Sequence, residues 1–466
     1  MFASIPSHLA RRWPIFFGAA AAGLAALLVS SELALAQFTQ QGPKLVGTLP
    51  VGNPEQGYSV ALSADGETAI VGGPTDNSQV GAVWVYTRRH GVWTQQGNKL
   101  VGVGSVGNAE QGWSVALSAN GETAIVGGPF DNNGNGAAWV YTRHGHVWTQ
   151  QGDKLVGGGA VGNAGQGISV SLSADGDTAI VGGFADSNGN GAAWVFTRSR
   201  GVWTQQGDKL VGSGAVGHPA QGRSVALSAD GNTAIVGGPT DIDPNPFRGG
   251  PRGAAWVFTR SDGVWTQQGP KLIGTHAVPN TQQGWSVALS ADGDTAILGG
   301  PEDPLSLGIG AAWIFTRSGG IWTEQSGKLI GHGYINPARQ GRSVALSGDG
   351  NIAMVGGPFD SNLKGAVWVY TRSGGVWTQQ GNKLVGTGAV GTAQHGAEQG
   401  WSVALAADGN TAITGGRSDN NGNGAAWVFV QPTKDDCKNG GWLNFPTPPG
   451  PFTHQGQCVS YFASQQ

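Results

Sequence analysis

A nineteen-residue motif recurs seven times in this chain, and no other feature limits its possible folds so strongly. The first copy reads Gln56-Gly57-Tyr58-Ser59-Val60-Ala61-Leu62-Ser63-Ala64-Asp65-Gly66-Glu67-Thr68-Ala69-Ile70-Val71-Gly72-Gly73-Pro74. Copies start at Gln56, Gln111, Gln166, Gln221, Gln283, Gln340 and Gln399, at spacings of 55, 55, 55, 62, 57 and 59 residues. A period of this size marks a repeat architecture in which each unit buries its apolar faces against its neighbours.

The second copy shows what one unit contains. Trp113 to Ser118 alternates, and Asn120-Gly121 then signals a two-residue hairpin. Thr123 to Val126 is a second strand, ended by Gly127-Gly128-Pro129. A polar loop leads to a third strand, Ala137 to Arg143, and a fourth runs from Val147 to Gln151, continuing to Leu155. Helical periodicity is absent. Four short antiparallel strands repeated seven times predict an all-β chain, a seven-bladed β-propeller.

The register also predicts ring closure. Seven third strands carry Trp84, Trp139, Trp194, Trp256, Trp313, Trp368 and Trp427, but only six fourth strands follow them. The missing one lies at the front, in Phe38 to Leu45, and should pair with the Trp427 strand as the outer strand of blade seven. Closure removes exposed edges that would invite aggregation.

The termini add compartment information. Arg11-Arg12, an apolar run from Ile15 to Val29 and the small-residue site Ala34-Leu35-Ala36 read as a cleavable secretory signal over 1–36. The propeller is then assigned to 37–431 and a tail to 432–466. The two cysteines, Cys437 and Cys458, both fall in that tail and suggest a disulfide in an exported protein. Net charge is −3, which provides no electrostatic case for nucleic acid or an anionic membrane. Seven lysines (Lys44 to Lys383) and six arginines (Arg88 to Arg372) recur at two repeat positions and read as solvated strand faces.

The motif resembles the FG-GAP repeat family, found in the integrin α-subunit propeller and in many secreted bacterial proteins. The resemblance covers 37–431. Gln56-Gly57-Tyr58-Ser59-Val60 stands where the family has Phe-Gly, and Gly72-Gly73-Pro74 where it has Gly-Ala-Pro. It implies a seven-bladed propeller in an extracellular or envelope setting, most often a partner-binding scaffold with adhesion as a common role. Two departures stand out. The family Phe is Gln in all seven copies, which suggests a polar ring near the central channel. The integrin-type calcium loop is reduced to Ser63-Ala64-Asp65-Gly66, whose one carboxylate cannot supply the 6–8 oxygens that calcium takes. The segments around Cys437 and Cys458 resemble a short Cys-flanked module on secreted bacterial proteins.

Candidate site residues come from what varies. After each Gln-Gly stand Tyr58, Trp113, Ile168, Arg223, Trp285, Arg342 and Trp401, while the surrounding residues are repeated. Either this is a tolerant surface position, or it is a ring of ligand-facing aromatic and arginine anchors. Blade four has an outlying loop, Thr240 to Arg252, with Phe247 and Arg248 as possible recognition residues. Three loops carry Asp-x-Asn-x-Asn-Gly: Asp131/Asn133/Asn135, Asp186/Asn188/Asn190 and Asp419/Asn421/Asn423. They match half of an EF-hand-like calcium loop, lack its twelfth-position Glu, and equally make turns. No metal or cofactor is assigned beyond this weak calcium pattern. No histidine recurs with a carboxylate at fixed spacing, and Gly-x-Ser-Val lacks the second Gly of a nucleophile elbow. No catalytic residue is assigned, and the chain is expected not to be an enzyme.

The resulting expectation is a secreted or cell-envelope binding protein, periplasmic or at the cell surface. It would act in adhesion or protein interaction through its top-face loops. Its partner would be an extracellular or envelope protein, or a glycan. The alternatives are a lectin with sites on several blades, and an envelope polysaccharide hydrolase or lyase.

Overall fold

The computed structural model describes residues 37–242, 250–303, 308–335, 337–391, 396–431, 437–438, 440–444 and 452–463. The expected signal, and Phe247 and Arg248, lie outside these residues. Seven sheets of four antiparallel strands surround one axis, and each blade's first strand contacts those of both neighbouring blades, so the ring closes.

In blade two the strands are Ser114–Leu117, Thr123–Gly128, Ala137–His144 and Val147–Gln150, from the axis outward. All six residues of the second strand are buried, because its faces meet the adjoining blades. That is why it reads as a continuous Thr-Ala-Ile-Val-Gly-Gly run rather than an alternating one. The fourth strand, at the rim, ends at Gln150; Leu155 makes only an isolated bridge to Ala138. Thr39 and Gln40 pair with Val430 and Phe429, and Leu45 bridges Ala426, so the N-terminal segment completes blade seven as its outer strand.

The inner hairpin is wider than the expected two-residue turn. Ser118 N donates to Thr123 O at 2.9 Å, leaving four residues in the loop. The extra length frees Ala119 N to donate to Ala174 O of the next blade at 2.9 Å. The same bond recurs from Ala64 to Ala119, Ala174 to Ala229, Ala229 to Ala291, Ala291 to Gly348, Gly348 to Ala407, and Ala407 back to Ala64. A closed ring of seven backbone hydrogen bonds therefore encircles the lower end of the channel. The turn Asp is consumed locally, since Asp65 Oδ1 accepts from Ser63 Oγ at 2.5 Å and Glu67 N at 2.9 Å.

The repeated glutamines do not form a channel ring. They are buried clamps: Gln166 Oε1 accepts from Gly157 N at 2.6 Å and its Nε2 donates to Gly157 O at 3.1 Å. The clamp holds backbone against the fully buried Trp194, whose Cδ1 would lie 2.1 Å from a Cβ at Gly157. A Phe at the Gln position could not satisfy both backbone groups. The third-strand tryptophans are all fully buried.

The repeated cations are not solvated strand faces either. Each repeat lysine pairs with a buried aspartate of a loop between second and third strands: Lys154 with Asp131 at 2.5 Å, Lys209 with Asp186 at 2.6 Å, and Lys44 with Asp419. Asp131 Oδ1 also accepts from Val106 N at 2.7 Å. The arginines staple blades: Arg198 bonds Asp177 at 2.6 Å in its own blade, reaches Gln151 at 3.1 Å in the preceding blade, and lies 5.4 Å from the Trp203 ring.

The same pairing is found in the three Asp-Asn loops whose spacing matches half a calcium loop. In each loop the aspartate, Asp131, Asp186 or Asp419, is held by a lysine ammonium, which occupies the position a cation would need. The middle asparagines make the bend: Asn133 (φ 58°), Asn188 (φ 62°) and Asn421 (φ 57°) sit in the left-handed region that Asn tolerates. The last asparagines, Asn135, Asn190 and Asn423, return to right-handed backbone at φ −61°, −63° and −63°. Their carbonyl oxygens accept from the next blade's Gln166 N, Gln221 N and Gln56 N, each at 3.0 Å. Among the described residues, no cluster of three or more His, Cys, Asp or Glu could hold a metal ion. The Asn-rich spelling is thus explained by turn geometry and by linkage between blades.

In the tail, Cys437 and Cys458 form a disulfide. With Phe452 they pack against Val430 at the end of the last blade strand.

Candidate functional site at the channel mouth

The start of each inner strand places the variable residue at the upper end of the channel, opposite the hydrogen-bonded alanine ring. The backbone there is imposed by the fold. The residue preceding the buried Gln adopts a positive φ in blade after blade: Glu55 (55°), Glu110 (54°), Ala220 (58°), Gln282 (60°), Arg339 (54°) and Glu398 (59°). This bend lets Glu110 N donate to Gln79 O of the preceding blade's loop at 2.8 Å before the chain descends along the axis. The side chains carried by this backbone are unconstrained by it, which is why they vary.

Tyr58, Trp113, Ile168, Arg223, Trp285, Arg342 and Trp401 come together around one cavity of about 180 Å³. Tyr58 packs against Trp113 with centroids 4.6 Å apart and against Trp401 at 5.6 Å. The Arg223 guanidinium stands 4.3 Å from the Trp285 ring. Arg342 lies 5.2 Å from Trp285 and 4.0 Å from Trp401. Loop residues join at the upper rim, where Phe130 meets Trp113 edge-on at 5.4 Å.

The mouth is electrically divided. Blades seven, one and two contribute Glu398, Glu55 and Glu110. Arg417 bonds Glu398 at 2.8 Å, lies 3.6 Å from Glu55, and covers Trp401 at 3.5 Å. Arg417 and these glutamates were not among the candidates from sequence. Arg417 had a signal, because the position after Gly-Gly is Pro or Phe in the other six copies. Blades four and six contribute Arg223 and Arg342, and no Asp or Glu lines the cavity. Burial pushes Arg342 down, to about 9, and repulsion from Arg223 adds to this. Arg223 is lowered by burial as well. Tyr58 is pushed up to about 12 by burial, against the pull of the three arginines.

Glu110 is raised to about 7, first by burial and then by Glu55. A carboxyl raised above its unfolded value contributes stability that is complete below the unfolded value and disappears as pH rises through the folded one. The protein should therefore lose stability between about pH 4.5 and 7 through this group. Screening at its half-exposed position limits the loss to roughly 1 kcal/mol. Glu110→Gln should flatten that part of a melting-temperature profile; an unchanged slope in the variant would refute the assignment.

No family model matches this chain, and no curated protein sequence matches it. Among solved structures, a Bacteroides uniformis protein described as a putative 6-phosphogluconolactonase aligns at 16% identity and a TM-score of 0.49, covering 73% of this chain and 88% of that one. The expectation that the chain is not an enzyme is corrected by this finding, since the aligned protein is described as one. The likeness carries no argument about a substrate here.

Proposed function

We propose that this protein is an exported binding propeller whose partner contacts the channel-mouth face, in the manner of the FG-GAP repeat proteins its motif resembles. One observation carries the reading. The repeat position that varies in size and charge supplies a single contiguous aromatic and guanidinium surface, whereas the clamps, staples and turns are repeated around the ring. Aromatic and arginine anchors on a rigid frame bind at low ordering cost. The disulfide supports an oxidising compartment, and among the described residues no helix is long and apolar enough to cross a membrane.

The geometry favours protein interaction, as in adhesion, over a multivalent lectin. Among the described residues the variable aromatic and arginine side chains meet at one asymmetric place on the axis, and arginines lie over the Trp285 and Trp401 faces that a sugar would need. The test is capture of partners from envelope fractions by the protein and by a Trp113→Ala/Trp285→Ala/Trp401→Ala variant. Loss of the captured partner by at least about tenfold is expected, as for removal of anchors worth about 1.4 kcal/mol or more together. Undiminished capture by a folded variant would rule out this face.

A further inference from the structure

We propose that the channel mouth is an oxyanion site, in which Arg223 and Arg342 receive a carboxylate, sulfate or phosphate group carried by a ligand. This deepens the reading of the mouth as the binding face and rests on it.

The argument begins with what these arginines lack. Elsewhere in the ring, arginines such as Arg88, Arg198 and Arg317 bond an acid of their own blade, and the seven repeat lysines each hold an aspartate. Arg223 and Arg342 have no carboxylate and no side-chain hydrogen-bond acceptor among the described residues; their contacts are the ring faces of Trp285 and Trp401. Both arginines are partly buried, and a partly desolvated charge without a partner costs free energy. Here two like charges share one indole, and the more distant Glu398 carboxylate, already bonded to Arg417, offsets only part of that cost at Arg342. Proton loss is a poor escape for a guanidinium, which stays charged in proteins. An arriving anion relieves both charges at once.

Further donors belong to residues that line the same sector. Trp285 Nε1 is buried without an acceptor. Six first-strand serines donate their hydroxyl to the next blade's glycine carbonyl, as Ser114 does to Gly167 O at 2.8 Å. Ser169 is the exception. It lines the cavity and accepts from Val225 N at 3.0 Å, which leaves its proton free to donate. Blades three to six thus present Ser169, Arg223, Trp285 and Arg342 in sequence. Charged guanidinium donors make the strong, short bonds that oxyanions accept. Across the mouth, Arg417 is already engaged by Glu398 and Glu55, so it does not compete for the ligand and the glutamates repel it toward the arginine side. A cavity of about 180 Å³ holds the anionic group and leaves the rest of the ligand against Tyr58 and Trp113.

The test is titration of the purified protein, followed by tryptophan fluorescence and calorimetry, with sodium D-glucuronate, D-galactose 6-sulfate, inorganic phosphate and, as neutral control, D-galactose. At least one charged probe should bind about tenfold or more tightly than galactose, and Arg223→Met and Arg342→Met should each weaken it by about tenfold or more. Glucuronate alone would identify a carboxylate; the sulfate ester or phosphate would identify a tetrahedral oxyanion. Both variants should also raise the melting temperature of the free protein, which loss of a merely structural contact would not do. Silence of all charged probes, equal binding of galactose, or full binding by both variants would overturn the proposal. The two readings fail separately. If the triple tryptophan variant still captures partners while charged probes bind, the partner-face reading falls and the oxyanion site stands. If capture is lost while no charged probe binds, the oxyanion site alone falls.

Discussion

A protein lacking residues 37–46 should fail to fold as a closed ring, and will aggregate or melt far below the intact chain. The segment is short, but three kinds of interaction depend on it. Phe38 and Leu45 are buried at 4% and 6% exposure, and each is worth about 2 kcal/mol of apolar burial. Lys44 is the partner of the buried Asp419, and removing one member of a buried pair costs about 3–5 kcal/mol because the other charge stays behind. Gln41 accepts from Arg88 at 3.3 Å and Trp93 at 3.1 Å, so the staple from blade one to blade seven is reduced to the Arg88–Thr411 bond at 3.2 Å. The summed loss of about 7–9 kcal/mol is comparable to the whole stability of an ordinary domain. The deletion also bares the edge of Ala425–Val430 to other chains. Thermal melting with size-exclusion chromatography decides the matter. A monomeric deletion variant that melts with the intact protein would show that closure does not depend on this strand.

Lys154→Met is the second large effect. It leaves Asp131, 1% exposed at its side chain, without its countercharge, and should cost about 3–5 kcal/mol in urea unfolding. Asp131→Asn combined with Lys154→Met should recover much of that loss. The buried charge is then gone, while an amide oxygen can still accept from Val106 N, which Asp131 Oδ1 now does at 2.7 Å. Strict additivity of the two single losses would contradict a direct pair.

The same pair shows how far sequence reasoning reached. The lysines and the loop aspartates are each visible as repeats, yet by spacing alone the lysines read as a solvated face and three of the aspartates as half a calcium loop. Lys154 and Asp131 are 23 residues apart, and Lys44 and Asp419 are 375 apart. The first pair is brought together only when the blade folds, and the second only when the ring closes. The last asparagine of each loop is equally illegible, since Asn135 meets Gln166 of another blade through its backbone oxygen. The glutamines misled for a related reason. Their repetition was plain, but the Gly157 backbone that Gln166 clamps becomes a partner only once Trp194 is packed above it. At the mouth, the varying ring from Tyr58 to Trp401 was legible because variation stands out against repetition. The lack, among the described residues, of an ion-pair partner for Arg223 and Arg342 was not, because it is a property of a cavity assembled from separate blades.

The sequence by itself determined seven blades of four strands, their buried tryptophans, the strand that closes the ring and the cysteine pairing. These follow from period, alternation and turn residues, which act between near neighbours, and from counting. Only the tertiary structure decided which charges are neutralised and which are left unpaired. Desolvation and Coulomb energy depend on distance through space, and in a closed ring the residues nearest in space are supplied by different repeats.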